Sequence, residues 1–394
     1  MFETLTAPQP DKIIQLMQMF RDDPRADKVD LGVGVYRTSD GKTPVMKAVK
    51  AAEELIWQTQ DSKGYVALAG DAGYLATMKR LIFAEAVAQD RLAAAATPGG
   101  TGAVRQVLEM VKRLTPEATI WISAPTWPNH PAIIGYLGLA MREYRYVDAE
   151  TGGLDRAGMM ADLAQVKRGD LVLLHACCHN PTGVDLTLED WRAIGDLCLE
   201  TGAIPFVDMA YLGFGEGIDE DAAGTRLLAG MVPEMLLAGS CSKNFGLYRD
   251  RAGIAVALCG NAGAAQATGG MLAWLNRQNF AFPPDHGTRV VQTILGDAGL
   301  TGLWRDELRE MRVRMQENRA ALAAELQRVT GSDGYAFLNT QCGMFSLLGA
   351  TPDEVDRLRG EHGVYLVFDS RMNVAGLTEE TIPLVAKAVA EVMG

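Results

Sequence analysis

Two hydrophobic rhythms alternate along this chain. Short, mainly apolar runs at 118–122, 171–175, 204–208, 235–239 and 252–259 have strand length and no regular polar alternation. That is the pattern of strands buried on both faces. Between them, apolar residues return at helical spacing. Val104, Val107, Leu108 and Val111 mark one face of a helix over 103–113. Further helices are expected over 12–20, behind Pro8 and Pro10, and over 47–58 and 74–89. Thr187 and Asp190 have capping-box spacing, which opens a helix ending near 201. Residues 135–146 read as a helix end, a turn and a strand. Repeated strand–helix units with apolar strands predict an α/β fold with a mainly parallel central sheet, covered on both faces.

The rhythm changes after Pro283 and Pro284. A long, charged, amphipathic helix is expected over 303–329, bridging two domains. Strands near 335–338, 344–348 and 364–367 and a last helix over 379–393 predict a small α/β domain. The N-terminal segment, with a glycine-studded strand over 29–36, is expected to pack with it. The division is therefore a large domain at 46–312 and a small domain made of 1–45 and 313–394.

Charge and cysteine usage narrow the function. A net charge of −12 argues against nucleic-acid binding, which needs a basic face. No apolar run of about 18 residues is present, so no membrane span is expected. Residues 1–5 lack a basic stretch leading into an apolar core, so no signal peptide is expected. The six cysteines show no CxxC spacing and read as reduced thiols in a cytoplasmic protein.

Candidate chemistry gathers at strand ends, where ligands of parallel sheets bind. Lys243 follows the 235–239 run, flanked by Ser240 and Ser242 and followed by Arg251. A lysine amine can form a Schiff base with an aldehyde, and hydroxyls with an arginine suit a phosphate on the same molecule. Pyridoxal phosphate carries both groups. Its phosphate would also meet Gly100 and Thr101 at a glycine-rich helix start. Asp208, ending an apolar strand, suits the pyridine nitrogen. Asn180 and Tyr211 suit the phenolate oxygen, and Trp127 suits the ring face. Two other readings are weaker. His175 and His179 have a four-residue spacing, but on a strand end rather than a helix, and no glutamate completes a zinc motif. Gly32 and Gly34 could open a dinucleotide loop, but Arg37 stands where the third glycine belongs.

The motifs Leu31 to Tyr36, Tyr65, Pro98 to Gly102, Trp127 to His130, His179 to Gly183, Asp208-x-x-Tyr211, Ser240-x-Ser242-Lys243-Asn244-Phe245-Gly246 and Arg371 run in order along nearly the whole chain. In this the chain resembles a class I aminotransferase of the aspartate/aromatic group, most like its aromatic members. The resemblance implies fold type I, pyridoxal phosphate and a homodimer with shared active sites. It implies that Lys243 forms the Schiff base and moves the proton, and that Tyr65 reaches the neighbour's cofactor phosphate. It implies that Arg371 binds the substrate α-carboxylate, with Asn180, Trp127 and Gly34 nearby, and that the partner donates Arg277 to a second carboxylate. Residues 47–58 and Arg371 lie in segments that the family uses for closure on amino-acid and 2-oxo-acid substrates. Aspartate-specific members resemble Asn-Tyr-Ser-Asn-Pro-Pro where this chain reads Asn279-Phe280-Ala281-Phe282-Pro283-Pro284. The apolar replacements point to dual aromatic and dicarboxylic specificity, with narrow aspartate specificity as the alternative.

Overall fold

The structure, a computed structural model, describes residues 2–6, 11–148 and 151–394; Pro8 and Pro10 lie outside them. Eleven strands occur among the described residues. They are β1 (Val29–Asp30), β2 (Leu92–Pro98), β3 (Thr119–Ala124), β4 (Ala140–Arg145), β5 (Leu171–His175), β6 (Ile204–Met209), β7 (Met235–Ser240), β8 (Ala252–Leu258), β9 (Phe345–Leu347), β10 (Val364–Tyr365) and β11 (Arg371–Asn373). The chain divides into two units. One comprises Met1–Thr43, Arg314–Thr340 and Met344–Gly394; the other comprises Pro44–Val313 and Gln341–Gly343.

The larger unit holds a seven-stranded sheet in the order β2-β8-β7-β6-β5-β3-β4. β8 runs against both neighbours and the remaining pairs are parallel, so the sheet is mixed and mostly parallel. Every residue of β5, β7 and β8 is buried, which is why their sequences are mainly apolar runs.

β2 is the strand that the hydrophobic pattern misses. It is a run of alanines, and alanine carries a helical preference and no strand signal. Its small side chains let the helix Ala262–Asn279 pack directly on it. The helix expected over 74–89 is Ala72–Phe83. Asp71 caps its start and Ala84, at φ +46°, ends it. The helix expected over 103–113 is Gly99–Leu114, so the glycines form its first turn. The capping box at Thr187 and Asp190 is present, and the helix it opens is Leu188–Thr201. Arg156–Leu163, Ile218–Met231, Ala262–Asn279 and His286–Gly296 are further helices, and three of them begin at or beside glycine or proline-rich turns that hide their start in the sequence.

In the smaller unit β1 pairs with β10 in parallel and β9 with β11 antiparallel. β1 stops after two residues rather than running over 29–36. Asn373 is the reason: its side-chain amide donates to the carbonyls of Val33 (2.6 Å) and Val35 (2.8 Å) in place of a strand partner. Residues 335–338 form no strand. They lie in a 3₁₀ turn, Ala336–Asn339, closed by short-range bonds such as Ala336 N to Asp333 O at 2.9 Å. The long helix extends further than expected, Ala298–Thr330, and contributes residues to both units. The helix Pro352–His362 also goes beyond the expected elements.

Candidate active site

Asp208 stands near the end of β6, in register with His175 on β5 and Ala238 on β7. It is buried, and its Oδ2 accepts from His130 Nε2 at 2.9 Å. His130 begins a wider chain. Its Nδ1 lies 2.9 Å from Thr126 Oγ, which lies 3.1 Å from His175 Nε2, and the Asn180 backbone N–H donates to His175 Nδ1 at 3.4 Å. A backbone N–H can only donate, so His175 Nδ1 is bare and its Nε2 carries the hydrogen. Thr126 then accepts from His175 and donates to His130 Nδ1, which leaves the His130 Nε2 hydrogen for Asp208. One end of the chain thus fixes the tautomers of all its members.

Electrostatics agree with this assignment. Burial pushes His175 down to about 3, so its ring is neutral. Burial alone would raise the Asp208 carboxyl. The His130 hydrogen bond, with the Lys243 charge adding to it, outweighs it and holds Asp208 below the ordinary carboxylate range. Asp208 is therefore a buried anion. Trp127 packs edge-on against His130, with centroids 5.2 Å apart.

Lys243 occupies the turn after β7, closed by Gly246 N to Lys243 O at 3.0 Å. Trp304 clamps that turn from one side. It donates to the Asn244 carbonyl at 2.7 Å and stacks on Phe245 with centroids 4.5 Å apart. Lys243 Nζ lies 4.8 Å from the centroid of the Tyr211 ring. The loop that carries Tyr211 is tied down by Asp221, whose carboxylate accepts from the backbone of Gly213 (2.7 Å), Gly215 (3.0 Å) and Glu216 (2.8 Å). Lysine, tyrosine and the buried carboxylate thus share one end of the sheet.

Beside them is a cradle built for an anion. Gly99 sits at φ +67° and donates its N–H to the Arg251 carbonyl at 2.8 Å. A Cβ on Gly99 would fall 2.6 Å from Arg251 Nη2, and one on Gly100 would fall 2.9 Å from Ser240 Cβ. Arg251 Nη1 donates to Ser242 Oγ at 3.3 Å, and the Ser242 N–H donates to Ser240 Oγ at 3.2 Å. The helix Gly99–Leu114 has no side-chain cap at its start, so the N–H groups of its first turn, Thr101 included, are open to an anionic ligand. Glycines that only glycine can occupy, two hydroxyls, a guanidinium and a helix N-terminus form a donor set that fits a phosphate. With Lys243 and Asp208 they fit pyridoxal phosphate.

The Cys177–Asn180 loop is held by Asp185, which accepts from the N–H groups of Cys178 (2.7 Å) and His179 (2.9 Å). His179 bonds Ser123 and Thr182, each at 2.9 Å. Both ring nitrogens of His175 and of His179 are thus engaged by protein groups. Cys177, Cys178 and Asp221 also bring ligand atoms together. Burial keeps the Cys178 thiol protonated, and each Asp221 oxygen already accepts backbone N–H bonds.

Arg371 belongs to the smaller unit. It is buried on β11, opposite Leu347, and donates to the Gly32 carbonyl at 3.4 Å. Its guanidinium lies over the Phe345 ring, 4.4 Å from the centroid. The same ring limits Gly34, where a Cβ would come within 3.3 Å of it. Gly34 and Arg371 are thus gathered around Phe345.

Tyr65 and Arg277 behave differently. Tyr65 is 87% exposed, and Arg277 is exposed at the end of the helix Ala262–Asn279. Among the described residues neither forms a hydrogen bond or ion pair with the Asp208–Lys243 cluster. Sequence reasoning also leaves out the Thr126–His130 link to Asp208. The available signal is the placement of His175 and Asp208 at neighbouring strand ends.

The sequence matches the aminotransferase class I and II family over residues 26–389. It is 49% identical to the aromatic-amino-acid aminotransferase of Paracoccus denitrificans, with both chains covered completely. It is 39% identical to the aspartate aminotransferase of Escherichia coli, again over the whole of both chains. Among solved structures, an aromatic amino acid aminotransferase with 3-indolebutyric acid superposes with a TM-score of 0.97 at 49% identity, covering both chains fully. An aromatic-amino-acid aminotransferase from Burkholderia pseudomallei, covalently bound to pyridoxal phosphate, gives 0.97 at 37% identity, again covering both chains fully. The chain belongs to the class I and II aminotransferases, a family dependent on pyridoxal phosphate.

Proposed function

We propose that this aminotransferase moves the amino group of aromatic and dicarboxylic amino acids to 2-oxoglutarate, as a cytoplasmic homodimer whose active sites are shared between subunits. The observation that carries it is Asp208: a buried carboxylate kept ionised by His130 at the strand end next to Lys243. Pyridoxal phosphate, when bound, supplies an electron sink that makes the substrate Cα–H acidic. Asp208 would keep a proton on the pyridine nitrogen. Asn180 and Tyr211 would donate to the phenolate oxygen, and Trp127 would cover the ring. Gly100, Thr101, Ser240, Ser242 and Arg251 would hold the phosphate. Lys243 would anchor the aldehyde carbon through Nζ. Once released by the incoming amine, Nζ would take the proton from Cα and deliver it to the former aldehyde carbon, on the far side of the amine nitrogen. Arg371, with Gly34 beside it, would clamp the α-carboxylate with its planar fork.

Support for the shared site comes from the surface of the larger unit. Tyr65 (87%), Trp57 (82%) and Leu55 (43%) are exposed apolar side chains, an arrangement that favours burial against another chain. Tyr65 would reach the partner's cofactor phosphate and Arg277 the partner's substrate side chain. The free cysteines suit a reducing compartment.

A donor panel tests the function: purified holoenzyme with 2-oxoglutarate and phenylalanine, tyrosine or aspartate. Glutamate should form together with the matching 2-oxo acid from all three. Turnover of aspartate alone would establish the narrow alternative, and release of an amine or ammonia would overturn transamination. In parallel, borohydride reduction should leave the cofactor's mass on the peptide that contains Lys243.

A further inference from the structure

Lys243 and Tyr211 sit on separate loops, yet one face of one helix touches both. Trp304, Leu308 and Arg312 follow one another at four-residue steps in the helix Ala298–Thr330, so their side chains share a face. Buried Trp304 donates to the Asn244 carbonyl and stacks on Phe245 with the rings 3° from parallel. Those two residues directly follow Lys243. About 12 Å further along the helix axis, Arg312 Nη1 donates to the Gly213 carbonyl at 3.1 Å. Between them, buried Leu308 packs at the closest approach of the Tyr211 loop. Gly213 takes φ +93° there, and a Cβ on it would collide with the Leu308 side chain. Only glycine lets the loop lie this near the helix. The loop is also closed on Asp221, which accepts the Gly217 N–H at 3.4 Å in addition to the bonds above. Phe214 N–H donates back to the Tyr211 carbonyl at 2.9 Å. The helix itself is fixed at Glu307, which accepts from the N–H groups of Lys47 (2.7 Å) and Ala48 (3.0 Å). All of these residues belong to the larger unit.

We propose that Trp304 and Arg312 are positioning residues that hold Lys243 and Tyr211 at a fixed spacing, which the helix between them sets. The proposal rests on the proposed transamination, in which Lys243 Nζ anchors the aldehyde carbon and Tyr211 donates to the phenolate oxygen of the same cofactor. Both groups are substituents of one rigid ring, so the two side chains must arrive with a matching spacing. They already approach each other, with Nζ 4.8 Å from the Tyr211 ring centroid. The sheet alone does not set that distance. β6 ends at Met209 and β7 at Ser240, short of both residues. A helix can set it, because its own backbone bonds keep side chains eight positions apart at a constant separation. The contacts of Trp304 and Arg312 named above fall on the two cofactor-facing loops. A change at either residue should therefore affect every donor alike and should register in the cofactor itself.

The test compares holoenzymes of the wild type, Trp304→Phe, Arg312→Met and Arg312→Lys, each measured well below its melting temperature. Trp304→Phe keeps a ring for Phe245 and loses the N–H. Arg312→Met keeps the chain length and loses the donor, whereas Arg312→Lys keeps a donor. A Tyr211 hydroxyl that donates to the phenolate oxygen stabilises negative charge there. Weakening that bond should raise the pH at which the visible absorbance of the bound cofactor changes, by about half a unit or more in Trp304→Phe and Arg312→Met. In the same two variants kcat should fall about ten-fold for phenylalanine and aspartate alike, because the reacting groups are misaligned. KM should stay within about three-fold. Arg312→Lys should bring both readouts back toward wild type. Should Trp304→Phe fail to fold, Arg312→Met, at a half-buried position, carries the test. A lower melting temperature with an unchanged absorbance titration and unchanged kcat would overturn the proposal, since the helix face would then serve stability alone. A loss confined to one donor would overturn it as well. A wild type without transaminase activity would instead overturn the proposed function itself.

Discussion

The strand-end cluster around Asp208 and the surface around Tyr65 and Arg277 are made from opposite materials. In the first, Asp208, His130 and Ser242 are buried and paired: His130 serves Asp208, Thr126 serves His130, and the exposed Arg251 serves Ser242. In the second, an 87% exposed tyrosine and an exposed arginine project from the chain, the tyrosine stacked on the Phe282 ring with centroids 4.6 Å apart. A buried network keeps its geometry at no further cost when ligand arrives. An exposed cation and ring gain strength only when something covers them. On the proposed dimer, the difference separates catalytic groups ordered within one chain, Asp208 and Lys243 among them, from Tyr65 and Arg277, which would complete a neighbour's site.

The largest expected effect removes the first region's nucleophile. Lys243→Ala should lower turnover of every donor by at least about 10⁴-fold in single-turnover assays, since it deletes both the anchor and the proton carrier. A uniform loss of that size places Lys243 upstream of donor choice. A donor-dependent loss would break the separation between the two regions.

Arg277→Leu addresses the second region. Its kcat/KM for aspartate should fall on the order of a hundred-fold, while phenylalanine changes by a few-fold at most, because only the dicarboxylic donor leaves a carboxylate unpaired. Equal losses for both donors would mean that Arg277 acts on the cofactor or on folding.

The smallest effect is thermodynamic and concerns the buried network alone. His175 has a folded pKa near 3 against an ordinary 6.5. The unfolded chain therefore binds the extra proton as pH falls below 6.5, while the folded chain does not until pH nears 3. Stability contributed by the neutral ring is present above that window and is lost as pH falls through it. The melting temperature should decline on acidification from pH 6.5, and less steeply in His175→Asn. Identical slopes for the two proteins would contradict a neutral, buried His175.

What the sequence reveals of this arrangement follows from its physics. Asp208, Asn180 and Lys243 are legible as one site because a parallel sheet brings successive strand ends to one edge. The buried runs that carry them are equally plain. β2 is not legible, because an alanine run signals a helix until a packed helix above it demands small residues. Nor is the early end of β1, where a side chain 340 positions away along the chain replaces the ladder partner of Val33. Residues 335–338 have strand-like composition but make local 3₁₀ bonds. The His130–Asp208 bond and the Tyr65–Phe282 stack each join residues far apart in sequence, with no periodicity to announce them.

Subunit complementation tests most directly whether the two regions work in different copies of the chain. Lys243→Ala and Arg277→Leu proteins, each deficient with aspartate, are mixed under conditions that exchange subunits. In a hybrid dimer, one site receives Lys243 from one chain and Arg277 from the other, and is wholly wild type. Aspartate transamination should recover to about a quarter of the wild-type value, since random exchange makes half the dimers hybrid with one restored site each. Activity that stays at the level of the separate variants, although exchange has taken place, would contradict a site shared between subunits.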